Sequence, residues 1–123
     1  MDACKCDLET ASFDAIVDKS LIDTLRCCSG SGSYCKLFID EMHRLLKPDG
    51  VFVSLSLNGY GYEDICRYYD REEYDWAVAW VNLPNPNYDP VKENTETYTY
   101  IVCSRVRPSP AGFHKCQLFS LVR

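Results

Sequence analysis

Asp18 and Lys19 stand where an apolar run ends, and they carry the sharpest chemical signal in the sequence. Phe13-Asp14-Ala15-Ile16-Val17 reads as a short buried strand, closed by the polar turn Asp18-Lys19-Ser20. An acid at the carboxyl end of a parallel strand sits in the crevice where open α/β sheets take ligands. The same acid can instead cap the next helix, because its carboxylate accepts a hydrogen bond from an unpaired first-turn amide. Spacing leaves both roles open. Gly59-Tyr60-Gly61 is a second candidate, a strand-to-helix turn that could line a pocket. Asp64 occupies the place of the third glycine in a dinucleotide fingerprint, so a phosphate cradle is disfavoured. Gly30-Ser31-Gly32, between two helical patterns, reads as a flexible connector.

Cysteine chemistry is the next possibility, with thiols at Cys4, Cys6, Cys27, Cys28, Cys35, Cys66, Cys103 and Cys116. Zinc sites favour C-x2–4-C pairs, whereas the close pairs here are C-x-C and C-C, and His43 and His114 stand alone. No export signal accompanies the cysteines, so a disulfide framework is also disfavoured and scattered thiols are expected. No metal site is expected. The chain has 123 residues, 13 Lys+Arg against 18 Asp+Glu and a net charge of −5, with no basic stripe for a phosphate backbone. Nucleic acid is therefore not an expected partner. No apolar run is long enough to span a bilayer, and Met1-Asp2-Ala3-Cys4-Lys5-Cys6-Asp7 lacks a signal core, so no membrane association and a cytoplasmic location are expected.

The elements that would position these residues follow from periodicity. Leu21, Ile22, Leu25 and Cys28 predict a short helix from about Ser20 to Arg26. A second helix places Phe38, Met42, Leu45 and Leu46 on one face, with Ser33 as its N-cap and Lys47-Pro48-Asp49-Gly50 as its stop. Val51 to Leu57 is the clearest strand, with four aliphatics at period two. Strand, helix, helix and strand make a βαβ crossover and a parallel pair. A helix near Tyr62 to Tyr69 comes next, then a strand on which Trp76, Val78 and Trp80 alternate with Ala77, Ala79 and Val81. Asn82 to Asn94 reads as a loop, Thr97 to Val106 as a strand, Arg107 to Gly112 as a turn and Gln117 to Val122 as the last strand. Strands joined by loops are expected to pair antiparallel. Tyr60, Tyr62, Tyr68, Tyr69, Tyr74, Trp76 and Trp80 fit either a core or a cap over a peptide, and large aromatic area favours the core.

Three stretches resemble class I S-adenosylmethionine-dependent methyltransferases. Phe13-Asp14-Ala15-Ile16-Val17-Asp18-Lys19-Ser20-Leu21-Ile22-Asp23-Thr24-Leu25 is similar to the F-D-x-V-[IV]-D-K-G-T-L-D-A-L segment of the group that includes elongation factor 1A lysine methyltransferases. Glu41 to Ser56 resembles E-x-x-R-[VL]-L-[KR]-P-G-G-x-[FY]-[VL]-x-[IL]-[ST], and Tyr100 to Phe119 resembles that group's terminal hairpin. Within the first stretch Ser20 replaces the usual Gly and Leu21 the usual Thr.

The resemblance implies an α/β fold: the C-terminal part of a Rossmann-like seven-stranded sheet, parallel strands followed by antiparallel terminal strands. Residues 1–123 would be a partial domain lacking the N-terminal glycine-rich cofactor loop. It implies S-adenosyl-L-methionine as cofactor, with Asp2 and Ala3 on the adenine side, as the tail of a preceding strand, and Val17 and Asp18 beside the transferred methyl group. Asp18 and Lys19 match the catalytic strand end, where Asp18 would hold the target amine or orient the cofactor ammonium. Ser56, Leu57 and Asn58 match a substrate wall. The complete form would methylate protein lysines, elongation factor 1A by resemblance. The isolated chain is not expected to be an efficient enzyme, because half of the cofactor site would be missing. A non-catalytic interaction module on the same scaffold is the alternative, and a strand at Phe13 to Val17 without parallel neighbours would expose an edge that invites self-association.

Overall fold

The computed structural model describes residues 2–27, 31–92, 96–105 and 116–118. In chain order these form β1 (Phe13–Lys19), α1 (Leu21–Arg26), α2 (Ser31–Leu45), β2 (Leu46–Ser56), α3 (Tyr62–Tyr68), β3 (Trp76–Pro84), a 3-10 turn (Pro90–Lys92), β4 (Thr97–Arg105) and β5 (Cys116–Leu118). The described strands make one five-stranded sheet in the order β1-β2-β4-β3-β5. β1 and β2 pair parallel through the expected crossover, and β4 inserts antiparallel to both β2 and β3. This is a mixed α/β sheet, parallel and then antiparallel.

The turn that ends α2 is absorbed into β2. Three residues of β1, Phe13 to Ala15, face six of β2, Leu46 to Val51. Pro48 cannot continue a helix, and Asp49 takes a left-handed φ of 67°. A Cβ on Gly50 would lie 2.8 Å from the Lys47 carbonyl oxygen and 3.2 Å from that of Asp14, so only glycine lets the two strands close there.

Side-chain alternation divides the sheet into two unlike faces. Phe52, Ser54 and Ser56 of β2, Ile101 and Cys103 of β4, and Trp76, Val78 and Trp80 of β3 are buried on one face. Phe38, Ile39, Met42 and Leu45 of α2, Ile22 of α1 and Ile65 of α3 join them in a single core. Within it Phe52 meets Phe38 edge-on at 6.1 Å and stacks against Trp76 at 6.0 Å. Tyr60, Tyr69, Tyr74, Trp76 and Trp80 are buried, so most of the aromatic group is core, while Tyr62 remains 63% exposed. The opposite face carries Val51, Val53 and Leu55 of β2, only half-buried, and Val17 of β1. Three of the aliphatics that make β2 the clearest strand thus lie on the open side, and the helices cover its phenylalanine and serines.

Polar staples hold the helices down. Asp75, just before β3, accepts from Arg105 Nε (2.9 Å) and a terminal guanidinium nitrogen (3.0 Å), and pairs with His43 Nε2 of α2 at 2.5 Å. Arg105 also donates to the Leu46 carbonyl at 2.6 Å, so one guanidinium ties β4 to β2. Glu41 and Arg44 of α2 clamp the N-terminal segment: Glu41 accepts from the Cys6 amide, and Arg44 donates to the Cys6 and Leu8 carbonyls.

Four local expectations are corrected. α2 begins at Ser31, so Ser33 lies in its first turn rather than at the N-cap, and Ser31 and Gly32 are helical rather than a connector. β3 runs to Pro84, because Asn82, Leu83 and Pro84 extend the ladder with Thr99, Tyr98 and Thr97, which shortens the expected loop. β5 pairs parallel with β3 rather than in an antiparallel hairpin. Direction still reverses from β4 to β5, but β3 lies between them. Asp2 and Ala3 are not the tail of a sheet strand, since Asp2 bridges only to Lys5 in a local turn. Gly30, Asn94, Val106 and the turn at 107–112 lie outside the described residues, as do 119–122 of the last strand. Among the described residues no helix is long and apolar enough to cross a membrane.

The Asp75 staple should show in acid. The Arg105 guanidinium, with His43 beside it, lowers the Asp75 carboxyl from the ordinary 3.8 to about 2. A depressed carboxyl stabilises the fold above its ordinary value, and that contribution is lost as pH falls from about 4 through 2. Asp75→Asn should lower stability by about 1 kcal/mol at pH 7, after allowance for solvent screening of this part-exposed group. In urea titrations the gap from the parent protein should close progressively between about pH 4 and 2.

Candidate functional site at the carboxyl end of the sheet

The carboxyl ends of β1 and β2 bring Asp18, Lys19, Ser56, Leu57 and Asn58 to one edge of the sheet. Parallel pairing does this directly: Asp18 lies beside Ser54 and Lys19 beside Leu55. Asp18 shares the helix-covered side with Ser54 and is 7% exposed, whereas Val17 and Lys19 point to the open side and Val17 is 76% exposed.

Two aspartate–serine–tyrosine clusters fill the covered side. Asp18 accepts from the Leu21 amide at 3.0 Å and from the Ser54 hydroxyl at 2.9 Å, and Ser54 also meets the Tyr69 hydroxyl at 2.9 Å. Ser20, not Asp18, is the N-cap of α1, but Asp18, two residues before that cap, takes the first amide of the helix. Burial raises the Asp18 carboxyl above its ordinary value, against the opposing hydrogen bonds from Ser54 and the Leu21 amide. Burial also places the Tyr69 hydroxyl well above its usual range. One strand position further on, Asp23 of α1 accepts from Ser56 Oγ (2.6 Å), the Leu57 amide (2.8 Å) and Tyr60 OH (2.9 Å). Burial pushes Tyr60 up to about 12. Arg26 lies over the rings of Tyr60 and Tyr68, at 4.9 and 5.4 Å, and 3.9 Å from Asp64, locking α1 to α3.

The glycine turn is built for packing. A Cβ on Gly59 would clash with Thr97 Oγ1, so that position is filled by a neighbouring strand, whereas a Cβ on Gly61 would meet nothing within 4 Å. Thr99 Oγ1 locks the turn, accepting from the Tyr60 amide at 2.7 Å and lying 2.9 Å from the Asn58 carbonyl oxygen. Lys19, Leu57 (37% exposed), Asn58 and Tyr62 are accessible at this edge.

The residues matched to S-adenosylmethionine have the following contacts in the structure. Asp2 Oδ1 accepts from the Cys4 amide, and Cys4 Sγ donates to the Tyr34 carbonyl, which fixes this segment at the start of α2. Ala3 packs against the core. Val17 is on the open face, and both carboxylate oxygens of Asp18 already accept internal bonds. Among the described residues no group of His, Cys, Asp and Glu could hold a metal ion. Cys4, Cys6, Cys27, Cys35, Cys66 and Cys103 are thiols rather than disulfides, while Cys28, His114 and the side chain of Cys116 lie outside what is described.

No family model matches the sequence. No curated protein matches it either. Solved structures do. A SAM-dependent methyltransferase from Methanosarcina mazei superposes with a TM-score of 0.64 at 10% identity, over 86% of this chain and 65% of that one. A complex of the Haloferax volcanii Trm112 methyltransferase activator with a candidate methyltransferase gives 0.58 at 11% identity, over 87% and 60%. A candidate DNA modification methylase from Thermus thermophilus gives 0.57 at 15%, over 89% and 54%. The fold is the one seen in SAM-dependent methyltransferases. The chain spans between about half and two thirds of the length of these structures.

Asp23, Ser54, Tyr60 and Tyr69 are the residues that periodicity alone does not single out. Their signal is visible in retrospect, because Ser54 and Ser56 place hydroxyls at period two on an otherwise apolar strand.

Ser20 marks a strained corner of this edge. It has a φ of 64°, a left-handed conformation suited to glycine, and its buried hydroxyl has no partner among the described residues. Its amide still donates to the Leu55 carbonyl at 2.7 Å, which holds the turn in place. Ser20→Gly should raise stability by about 1 kcal/mol in chemical denaturation, the left-handed penalty outweighing the added freedom of the unfolded chain. No change, or a loss, would show that the corner is unstrained.

Proposed function

We propose that these 123 residues form the C-terminal part of an S-adenosylmethionine-dependent methyltransferase, directed in its complete form at protein lysine. The observation that carries this reading is the sheet order β1-β2-β4-β3, with β4 inserted antiparallel after a parallel pair, in a fold that superposes on SAM-dependent methyltransferases over most of its length. The lysine acceptor rests on the Asp18-Lys19 strand end and its resemblance to the elongation factor 1A methyltransferase group.

In this reading the chain supplies the acceptor side. Asp18 is a positioning residue: it clamps the start of α1 and, through Ser54, the Tyr69 that follows α3. Lys19, Leu57 and Asn58 form the exposed rim that meets the acceptor, with Ser56 behind it holding Asp23. In this reading the glycine-rich cofactor loop lies outside these residues, and both carboxylate oxygens of Asp18 are taken by internal donors.

The test uses the product of the full reading frame that contains these residues, incubated with radiolabelled S-adenosylmethionine and a protein acceptor. Methyl-lysine in the hydrolysed acceptor is the expected result, with transfer reduced at least tenfold in Lys19→Ala. Methylated nucleic-acid bases would overturn the lysine assignment. A product that binds no S-adenosylmethionine at millimolar concentration would overturn the methyltransferase reading and favour an interaction module.

A further inference from the structure

Asn58-Gly59 is the one asparagine–glycine pair in the sequence, and both residues are exposed at the carboxyl edge of the sheet. The turn is anchored on either side of the bond between them. The Asn58 amide donates to Ser56 Oγ at 3.1 Å, and the Asn58 carbonyl oxygen lies 2.9 Å from Thr99 Oγ1. On the far side the Tyr60 amide donates to Thr99 Oγ1 at 2.7 Å. The groups between these anchors are free: neither the Gly59 amide nor the Asn58 side chain makes a hydrogen bond among the described residues. Packing also demands the glycine, because a Cβ there would clash with Thr97 Oγ1. Without that Cβ the Gly59 nitrogen is sterically open to the neighbouring side chain. The other described asparagines lack this combination. Asn85 precedes Pro86, which has no N–H. Asn87 precedes Tyr88, whose amide donates to the Asn85 carbonyl at 3.1 Å. Asn82 is held by its own side chain, which donates to the Tyr60 carbonyl at 3.1 Å and lies 2.6 Å from Thr99 Oγ1.

We propose that Asn58 is a site of spontaneous deamidation, where water converts the side-chain amide into a carboxylate in the folded protein. The Gly59 nitrogen loses its proton to solvent base and attacks Asn58 Cγ. A C–N bond forms, a five-membered succinimide closes, and the side-chain nitrogen leaves as ammonia with a proton taken from water. Water then opens the ring. Attack at Cγ breaks the new bond and gives aspartate. Attack at the main-chain carbonyl breaks the original peptide bond and leaves Gly59 joined through Cγ, as isoaspartate. Asparagine and water thus become aspartate or isoaspartate and ammonia, with no oxidant or enzyme. Proximity supplies the rate, because nucleophile and electrophile belong to adjacent residues of one chain. Isoaspartate inserts a methylene into the main chain inside the turn that Thr99 spans. Either product places a negative charge beside Leu57, at an edge whose own acids, Asp18 and Asp23, are turned inward. The modification does not depend on what that edge binds.

Timed incubation of the folded protein at about 37 °C, followed by mass spectrometry of its tryptic fragments, tests this directly. Trypsin places Asn58 in the fragment 45–67, as its only side-chain amide, and Asn82, Asn85 and Asn87 together in 72–92. Fragment 45–67 should gain one dalton with time, faster as pH is raised from about 7 to 8.5, while 72–92 keeps its mass. Electron-transfer fragmentation should find isoaspartate as well as aspartate at position 58. The synthetic peptide 45–67, which has no fold, sets the reference rate, and the folded protein should deamidate within tenfold of it. A folded rate more than tenfold slower would overturn the proposal, because the Thr99 clamp would then be withholding the Gly59 nitrogen. Aspartate without isoaspartate would overturn the succinimide route. An equal gain in 72–92 would overturn the assignment to the Asn58-Gly59 turn.

Discussion

Ser54 and Ser56 of β2 are the constraint on which the carboxyl end of this sheet depends. Small hydroxyls on the buried side of a central strand leave room for two aspartates from the neighbouring strand and helix. Each aspartate would be costly to bury alone, and each is offset by hydroxyl and amide donors. The same two clusters reach tyrosines on either side of α3, so β1, α1, β2 and α3 are joined by one set of short polar contacts. Valine in place of either serine would fill the space and remove the donor together.

This arrangement has a consequence for chemistry. Acids at strand ends usually suggest reaction or binding, but here Asp18 and Asp23 are occupied by the fold's own amides and hydroxyls. What remains accessible at the edge is Lys19, Leu57, Asn58 and Tyr62, a rim of mixed character. The surface suits contact with another molecule better than acid–base work. Methyl transfer is compatible with such a rim, because proximity and desolvation supply most of its acceleration and few proton-transfer groups are required.

The covered and open faces differ by more than accessibility. β2 turns Val51, Val53 and Leu55 away from the helices and Phe52, Ser54 and Ser56 towards them. Aromatic stacking around Phe52 and Trp76 compensates for the polar serines, so the covered face is stabilised by large rings and satisfied hydroxyls together. The open face retains aliphatic surface of the kind that a monomeric domain usually buries.

Local patterns along the chain specify the order of elements: the strand at Phe13, the short helix after Ser20, the amphipathic helix (expected to carry Leu46, which β2 takes instead), the strand after Gly50 and the alternating Trp76–Val81 run. These are legible because local periodicity and the Pro48–Gly50 stop act over a few residues. Tertiary structure alone decided which face of β2 the helices cover, since valines at period two and Phe52 with two serines are both consistent with a buried side. It also decided that β5 lies beside β3, because pairing partners are chosen across the sheet rather than along the chain. The role of Asp18 was likewise not legible. Capping and catalysis require the same residue at the same strand end, and only the positions of Leu21 and Ser54 in space show where its carboxylate is spent.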